Sequence, residues 1–451
     1  MKKILVVFVT IFFFLFPLFL LFFLLDLPAR KIIKEEMKKI KENRESLNLS
    51  EIISEKKGLN LDKVIENFKK EVEKIEKQDK LEILSQLFTS EGYDIKVYRK
   101  IKKQKIIEDT NDIINSCEYI IENFSLSPDE KTIWQYTSLF SILFKISKIL
   151  RARCVIKAIE NEKNKVFDDI FLLNKIVKFS DQPINFSTLN LSCLIYLNTA
   201  KCINDILNIL TLDKKSIDII ERNLPEFNGE IYKMTIFRER AIYNEYFTDL
   251  MKGKKGFISD YSFLYSVDFN FEDPTKKFMK FPFDIYLKPI IRHNKAKFFY
   301  YLRKLLEIEN LPLKERKIQL KKIEEEIKNL PKYDFLVFFL IPLTSTYTYN
   351  NFLTTKVYEN LMFTSISIEK YRKEKGFLPE KIEKIKIPDN RMIDPYSDKM
   401  LNYKKEKGGY KIWSVGENGI DEGGVYLSCS EKRKMRYRLD EKDDIVWIIK
   451  K

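Results

Sequence analysis

A nine-residue stretch near the C-terminus carries the side chains best suited to holding a metal ion. Residues 416–424 read GENGIDEGG, which places carboxylate and amide oxygens among four glycines. Such oxygens suit a hard cation such as calcium, which takes about six to eight of them. Two adjacent aspartates farther along are expected to return to this loop, although the order of ligands is not that of an EF-hand. The loop therefore predicts either a β-turn without an ion or a calcium site with the ligands Asn418, Asp421, Glu422, Asp443 and Asp444.

Residues for acid–base catalysis are scattered, and nothing in the sequence orients them. Asp168, Asp169, Glu239 and Glu245 fall on predicted helices, where a solvated or ion-paired carboxylate is the simpler interpretation. His293 is the only histidine, which excludes multi-histidine metal sites and disfavours a catalytic triad. We therefore predict no catalytic residue and no cofactor-binding residue, and calcium is the one cofactor that the sequence suggests.

Composition and charge narrow the class of protein further. The chain has 451 residues, of which 45% are hydrophobic, so it can bury a sizeable core. Twelve glycines leave little room for the phosphate turns of a doubly wound nucleotide-binding fold. The net charge is +15, but the basic residues are interleaved with glutamates and no nucleic-acid motif occurs. We predict no nucleic-acid partner, and no small-molecule substrate is evident.

The five cysteines form no C-x-x-C pair, which excludes a zinc ribbon and a thioredoxin-like site. Cys117, Cys154, Cys193 and Cys202 fall on predicted helices, where buried thiols act as small apolar groups. If the domain is exported, a disulfide among them is the alternative, with a connectivity that the sequence leaves open.

The N-terminal segment has the length and composition of a membrane anchor. Ile4 to Leu25 carries no charge and spans about 33 Å as a helix, against about 30 Å for a bilayer core. A cleaved signal peptide is the rival interpretation, but its apolar core would be about 7–15 residues long. We predict a single-pass, uncleaved anchor at residues 1–29. Lys and Arg counts beside the span favour a cytoplasmic body, whereas long domains translocate with little regard to charge, and we predict that the body is extracytoplasmic.

Residues 30–332 are predicted to form an extracytoplasmic helical domain. Helical periodicity is interrupted by breaks near residues 181–183, 223–225, 253–256 and 273–274. The pattern predicts antiparallel helical hairpins without a fixed repeat. Residues 30–80 are dense in lysine and glutamate, which fits a solvated stalk or an ordinary amphipathic helix, and their charges could contact anionic lipid headgroups.

Residues 333–451 are predicted to form a small α+β module. A long helix from about Asp334 to Lys375 carries one apolar stripe and ends at Gly376. Two short strands follow at residues 400–403 and 410–415, joined by residues 404–409. The predicted fold is therefore mainly α, with an N-terminal transmembrane helix, a multi-helix hairpin domain and a long helix laid on an antiparallel sheet.

Several short motifs of this module occur in an order that resembles one known family. They are EKYR at 369–372, GFLP at 376–379, DPY at 394–396, YKIWSVGENG at 410–419, the glycine pair at 423–424 and DDI at 443–445. This order resembles the major pseudopilin of type II secretion systems, over about a quarter of the chain. The resemblance implies a calcium loop that holds the last turn onto the sheet, with Asn418 in place of an aspartate and Asp443 and Asp444 as the closing pair.

The chain also departs from the pseudopilin pattern. Ser397 replaces the usual glycine of the turn, and a basic stretch at residues 425–442 separates the glycine pair from the aspartates. The prepilin processing motif is absent, so we do not expect the chain to polymerise as a pilin.

The functional expectation is a membrane-anchored, extracytoplasmic, non-enzymatic scaffold or binding protein of the cell envelope, associated with a type II secretion or pilus-like assembly. Fold does not fix function. The alternative is an envelope hydrolase that uses acidic residues of the helical domain, which a pocket with two carboxylates about 5–10 Å apart would favour. A basic scaffold facing the cytoplasm is a third hypothesis, if the orientation is reversed.

Overall fold

The computed structural model describes most of the chain. The described residues are 22–43, 80–123, 133–252, 288–331, 342–425 and 444–450 apart from 90, 91, 94 and 312, together with 12, 15–17, 20, 45, 66, 70, 72, 73, 334 and 337. The predicted mainly helical fold with a small antiparallel sheet is confirmed.

Twelve helices and five strands lie within these residues. The helices are α1 Leu27–Glu42, α2 Lys80–Gln86, α3 Ile95–Lys103, α4 Asn111–Asn123, α5 Ile133–Ile159, α6 Lys163–Ser180, α7 Phe186–Ile209, α8 Lys214–Arg222, α9 Ile231–Lys252, α10 Lys288–Ile308, α11 Leu313–Lys328 and α12 Pro342–Lys375. The strands are β1 Phe88–Thr89, β2 Gly92–Tyr93, β3 Asn402–Glu406, β4 Gly409–Ser414 and β5 Ile445–Lys450.

The chain divides into two compact units that are each discontinuous in sequence. Unit 1 combines residues 1–54 with 233–346, and unit 2 combines 55–232 with 347–451. The predicted domain limits of 1–29, 30–332 and 333–451 stay predictions. The predicted span Ile4–Leu25 lies mostly outside the described residues, and none of the described helices has the length and apolar character needed to cross a membrane.

Unit 1 is built on two helices that run side by side in the same direction. A π-helical turn, Phe22–Asp26, leads directly into α1. Ion pairs join Asp26 to Arg292 at one end and Glu36 to Arg303, at 3.1 Å, farther along. Helix α11 then returns antiparallel along α10, because Lys304 of α10 reaches a glutamate 22 residues later at 2.7 Å.

Three successive helices of unit 2, α5, α6 and α7, pack together. The first and the third, α5 and α7, lie side by side and run in the same direction. Helix α6 connects α5 to α7, and the side chains of Asn198 and Ser147 form a hydrogen bond of 2.9 Å across the pair. The predicted breaks at 181–183 and 223–225 are confirmed, because α6 ends at Ser180 and α8 at Arg222. The break near 253–256 begins where α9 ends, and the predicted cap at 127–130 lies outside the described residues.

The short strands β1 and β2 were not predicted. They pair antiparallel within a region where the sequence predicts only helices. Each strand has two residues, which is too short to produce a readable alternation of apolar and polar side chains.

The three-stranded sheet of unit 2 has the order β3-β4-β5 and is antiparallel throughout. The predicted limits of its first strand were wrong: β3 continues to Glu406, and only residues 407 and 408 connect it to β4. Gly408 has a φ of 83°, which permits this two-residue turn. Because the turn is so short, the pairing of β3 with β4 extends to Glu406 and Gly409.

Helix α12 lies against this sheet and ends as predicted. Gly376, with a φ of 82°, follows its last residue and donates its N–H to the carbonyl of Arg372 at 2.8 Å. On the sheet side, the Ser365 hydroxyl contacts Tyr410 Oη at 2.8 Å and accepts the indole N–H of Trp447 at 3.0 Å. The structure describes this helix from Pro342, and most of residues 335–341 lie outside the described residues.

Asn208 at the end of α7 caps the outer edge of β5. Its amide donates to the Ile448 carbonyl at 3.0 Å, and its carbonyl accepts the Lys450 N–H at 2.8 Å. The side chain therefore hydrogen-bonds as a neighbouring strand would, and it satisfies groups that an edge strand leaves open.

Replacing Asn208 by alanine is expected to lower the unfolding free energy of unit 2 by about 2 kcal/mol, because two hydrogen bonds are lost. Urea denaturation of the full chain in mild detergent measures this. The control is Asn164→Ala at an exposed position of α6 in the same unit. Equal midpoints for the two variants would contradict the capping role.

Candidate metal centre

Strands β4 and β5 bring the two halves of the predicted metal loop together. Ser414, the last residue of β4, pairs with Ile445, the first residue of β5. The loop that follows β4 and the acidic residue that precedes β5 therefore start from the same end of the sheet. Asp444 accepts the Gly424 N–H on Oδ2 at 2.8 Å, which ties the end of the loop to the start of the last strand.

The base of the loop is held by the buried carboxylate of Asp394. It accepts the Ser414 hydroxyl at 2.6 Å and the Val415 N–H at 3.0 Å from the strand end. It also accepts the Tyr396 N–H and the Ser397 hydroxyl, both at 3.0 Å, from its own turn. The sequence identified only a turn at residues 394–396, and the buried link from this turn to the sheet was missed.

Three of the five predicted ligands come together. The Asn418 amide donates to Glu422 Oε1 at 2.5 Å, and the Glu422 carboxylate neighbours that of Asp444. Asp421 faces elsewhere, because its Oδ1 accepts the indole N–H of Trp413 and the N–H of Gly423, both at 2.9 Å. Asp443 lies outside the described residues.

The pairing of Glu422 with Asp444 is electrostatically unfavourable without a positive charge. Burial, together with the neighbouring Glu422 carboxylate, raises the pKa of Asp444 to about 6, although the hydrogen bond from Gly424 opposes this rise. Asp444 Oδ1 and Glu422 Oε2 are both buried and have no hydrogen-bond partner in the described part of the chain. Two such oxygens in one place fit either a shared proton or a bound cation.

Lys411 and Gly424 also shape this loop, and neither contribution was predicted from the sequence. The Lys411 ammonium donates to the carbonyls of Gly423 at 2.7 Å and Gly424 at 3.2 Å, so these carbonyls already contact a positive charge. Gly424 has a φ of 66°, and a Cβ there would lie 2.8 Å from the Trp413 ring. A glycine is therefore required for the loop to pass the indole.

Among the residues that the structure describes, the loop brings together two carboxylates, but not a full ligand set for a metal ion. Across the described residues, no group of three or more His, Cys, Asp or Glu side chains is arranged to hold a metal ion. The oxygens of Glu422 and Asp444 that have no hydrogen-bond partner among the described residues are of the type that a hard cation prefers.

The other candidates for acid–base chemistry lie apart from this loop, in different surroundings. Asp169 is buried and lies 2.7 Å from Lys157 and 3.4 Å from Arg153, whereas Asp168 is exposed. His293 lies 2.8 Å from the buried Asp334, which also pairs with Lys297 at 3.3 Å. The two remaining candidates, Glu239 and Glu245, are respectively buried and half-buried on α9.

Unit 1 contains a cavity of about 840 Å³ with both signs of charge on its wall. Its charged lining residues are Lys39, Glu45, Lys233, Arg303, Glu307 and Glu309. Burial alone would raise the pKa of Glu45, but the charge and hydrogen bond of Arg240, 2.6 Å away, outweigh it and the pKa is lowered. Glu45 is therefore an ionised partner of arginine rather than a proton donor.

The four helical cysteines are all buried, as predicted for thiols that act as apolar groups. Cys117, Cys154, Cys193 and Cys202 are free thiols. Burial raises the pKa of Cys193 to about 12, so this thiol stays protonated and unreactive at neutral pH.

No family model, no curated protein and no solved structure matches this chain.

Proposed function

We propose that the chain is a membrane-anchored, extracytoplasmic, non-enzymatic scaffold or binding protein of the cell envelope, associated with a type II secretion or pilus-like assembly. The observation that carries the anchor is the N-terminal helical segment, which leads into α1 and exposes seven large apolar side chains to solvent. These exposed side chains are Phe12, Leu15, Phe16, Leu20, Phe23, Leu24 and Leu27. Seven large apolar groups on one short segment need a covering phase, and a bilayer supplies one.

The experiment that tests the anchor is alkaline carbonate extraction of membranes that carry the full chain. We expect the chain to stay in the membrane pellet, because a spanning helix is held by its apolar surface and not by charge. A full chain recovered in the carbonate supernatant would contradict the anchor.

The association with a secretion assembly rests on the pseudopilin-like order of the C-terminal elements. A long helix, an antiparallel sheet and a closing strand preceded by an acidic residue follow one another, and Asp444 contacts the glycine-rich loop. In this proposal the cation, when bound, neutralises the Glu422 and Asp444 carboxylates and fixes the last strand to the loop.

The hydrolase alternative is less well supported. The cavity of unit 1 is lined in part by carboxylates. One of them, Glu45, is paired with Arg240, and its pKa is lowered. A general acid needs a raised pKa near neutral pH. Asp169, another buried acid of the predicted helices, is ion-paired with Lys157 and Arg153.

The cation proposal predicts a characteristic pH dependence. Because the pKa of Asp444 is about 6 in the folded protein against an ordinary 3.8, the folded state binds more protons than the unfolded state between these values. In the presence of chelator, the stability that this proton provides is present at low pH and is lost as the pH rises through this window. Calcium binds the ionised pair, so excess calcium should restore the melting temperature near neutral pH.

Melting of the full chain at several pH values, with chelator and with calcium, measures this effect. Glu422→Gln should abolish both the pH-dependent loss and the calcium rescue, whereas the exposed Glu383→Gln should retain both. If calcium leaves the melting temperature of the wild type unchanged at neutral pH, the cation is discarded and the shared proton is retained.

A further inference from the structure

The exposed face of the N-terminal helical segment changes from apolar to basic within a few residues. Phe23, Leu24 and Leu27 are exposed large apolar residues, Pro28 is exposed beside them, and the exposed positions that follow are Arg30 and Lys31. Lys34 continues the same face, because residues three and four apart lie one above the other on a helix. The helix therefore presents a basic band immediately beyond an apolar surface.

A buried aspartate links this part of the helical segment to α10 of unit 1. Asp26 is 1% exposed and lies between the apolar and basic parts of the segment. It accepts Arg30 Nε at 2.6 Å and also pairs with Arg292 at the start of α10. One carboxylate facing two arginines leaves a net positive charge at this level, and Arg30 remains more than half exposed, at 55% of its side chain.

We propose that Arg30, Lys31 and Lys34 form a headgroup-binding band that selects anionic phospholipids at the membrane surface. The inference rests on the membrane anchoring proposed above and adds the class of lipid. Arg30 and Lys31 lie about 4–6 Å beyond Leu27 along the helix axis, which is the depth of the headgroup layer. Lys34 lies about 10 Å beyond Leu27, still within about one Debye length of it. Guanidinium and ammonium groups bind phosphate oxygens by charge-assisted hydrogen bonds.

Helix α11 provides a matched control for the loss of charge. Lys321 and Lys322 are exposed there. Because Lys304 contacts Glu326, the antiparallel course of α11 places Lys321 about 25 Å from the level of Asp26 along the helix axes. At that distance the attraction of a charged membrane surface is screened by salt.

The test measures binding of phosphatidylglycerol and of phosphatidylcholine to the full chain in neutral maltoside micelles by native mass spectrometry. We compare Lys31→Gln/Lys34→Gln with Lys321→Gln/Lys322→Gln and leave Arg30 unchanged, because Arg30 pairs with Asp26. The wild type is expected to prefer phosphatidylglycerol. The first double variant should lose about fivefold of that preference for each charge removed, and the second should keep it.

Two outcomes overturn the inference: equal binding of the two lipids by the wild type, or equal loss of preference in both double variants. Both are distinct from failure of the anchor, in which the chain would be recovered from carbonate extraction in the supernatant. A circular dichroism spectrum of each variant shows that the helices are intact.

Discussion

Replacing Asp394 by asparagine is expected to lower the unfolding free energy of unit 2 by about 3 kcal/mol. The carboxylate accepts four hydrogen bonds, two of them from the buried N–H of Val415 and hydroxyl of Ser414 at the end of β4. An amide of the same shape keeps one acceptor oxygen and turns an NH₂ group toward donors. Two donors are then left without an acceptor in a buried site, which costs far more than the loss of an exposed charge.

Tryptophan fluorescence during urea denaturation measures this effect, because Trp134, Trp413 and Trp447 all lie in unit 2. The matched control is Asp398→Asn, four residues later in the same turn and exposed to solvent. We expect the control to stay within about 0.5 kcal/mol of the wild type. If Asp394→Asn is equally mild, the turn does not hold the loop to the sheet.

Replacing Glu359 by alanine is expected to cost about 3 kcal/mol, because it removes a buried carboxylate that a buried N–H and two half-buried cations share. Glu359 lies on α12 and is 2% exposed. It pairs with Arg391 at 2.6 Å and Lys356 at 2.9 Å, and it accepts the Phe227 N–H at 2.8 Å. One carboxylate therefore joins the long helix to two separate loops of unit 2.

Glutamine at position 359 separates charge from shape. It keeps the side-chain volume and one acceptor, so Glu359→Gln should cost less than the alanine variant but more than Glu383→Gln at an exposed position of the same unit. The same fluorescence measurement ranks the three. Equal stability of Glu359→Ala and Glu383→Gln would show that the three contacts do not act on folding.

Local signals in the sequence were sufficient to predict where helices end. The αL glycine at position 376 and the breaks at 181–183 and 223–225 depend on a few adjacent residues, and the structure has helix ends at each of them. The limits of β3 were missed by two to three residues, because strand ends depend on pairing with β4 and not on local composition.

The arrangement of the candidate metal loop was only partly predictable. Spacing and residue type brought Asn418, Glu422 and Asp444 to one place. The orientation of Asp421 toward Trp413 was not readable, because it depends on where the indole N–H of a neighbouring strand points. The role of Asp394 depends on a contact made 20 residues away in sequence, for which a single sequence carries no signal.

The division into two discontinuous units was likewise beyond local patterns. Helices α1 and α10 are separated by more than 240 residues, and their pairing relies on Asp26 with Arg292 and Glu36 with Arg303. Any of the many acidic and basic residues of this chain could have formed such pairs, so composition and periodicity do not single these out.

The side of the membrane on which the body lies is the most direct test of the proposed function. The measurement uses a full chain with Lys322→Cys on α11 in a Cys429→Ser background, because the other four cysteines are buried. Spheroplasts are treated with a membrane-impermeant maleimide before and after lysis. An extracytoplasmic body predicts that Lys322→Cys is labelled to the same extent in both cases. Labelling only after lysis would place the body in the cytoplasm and contradict the envelope scaffold.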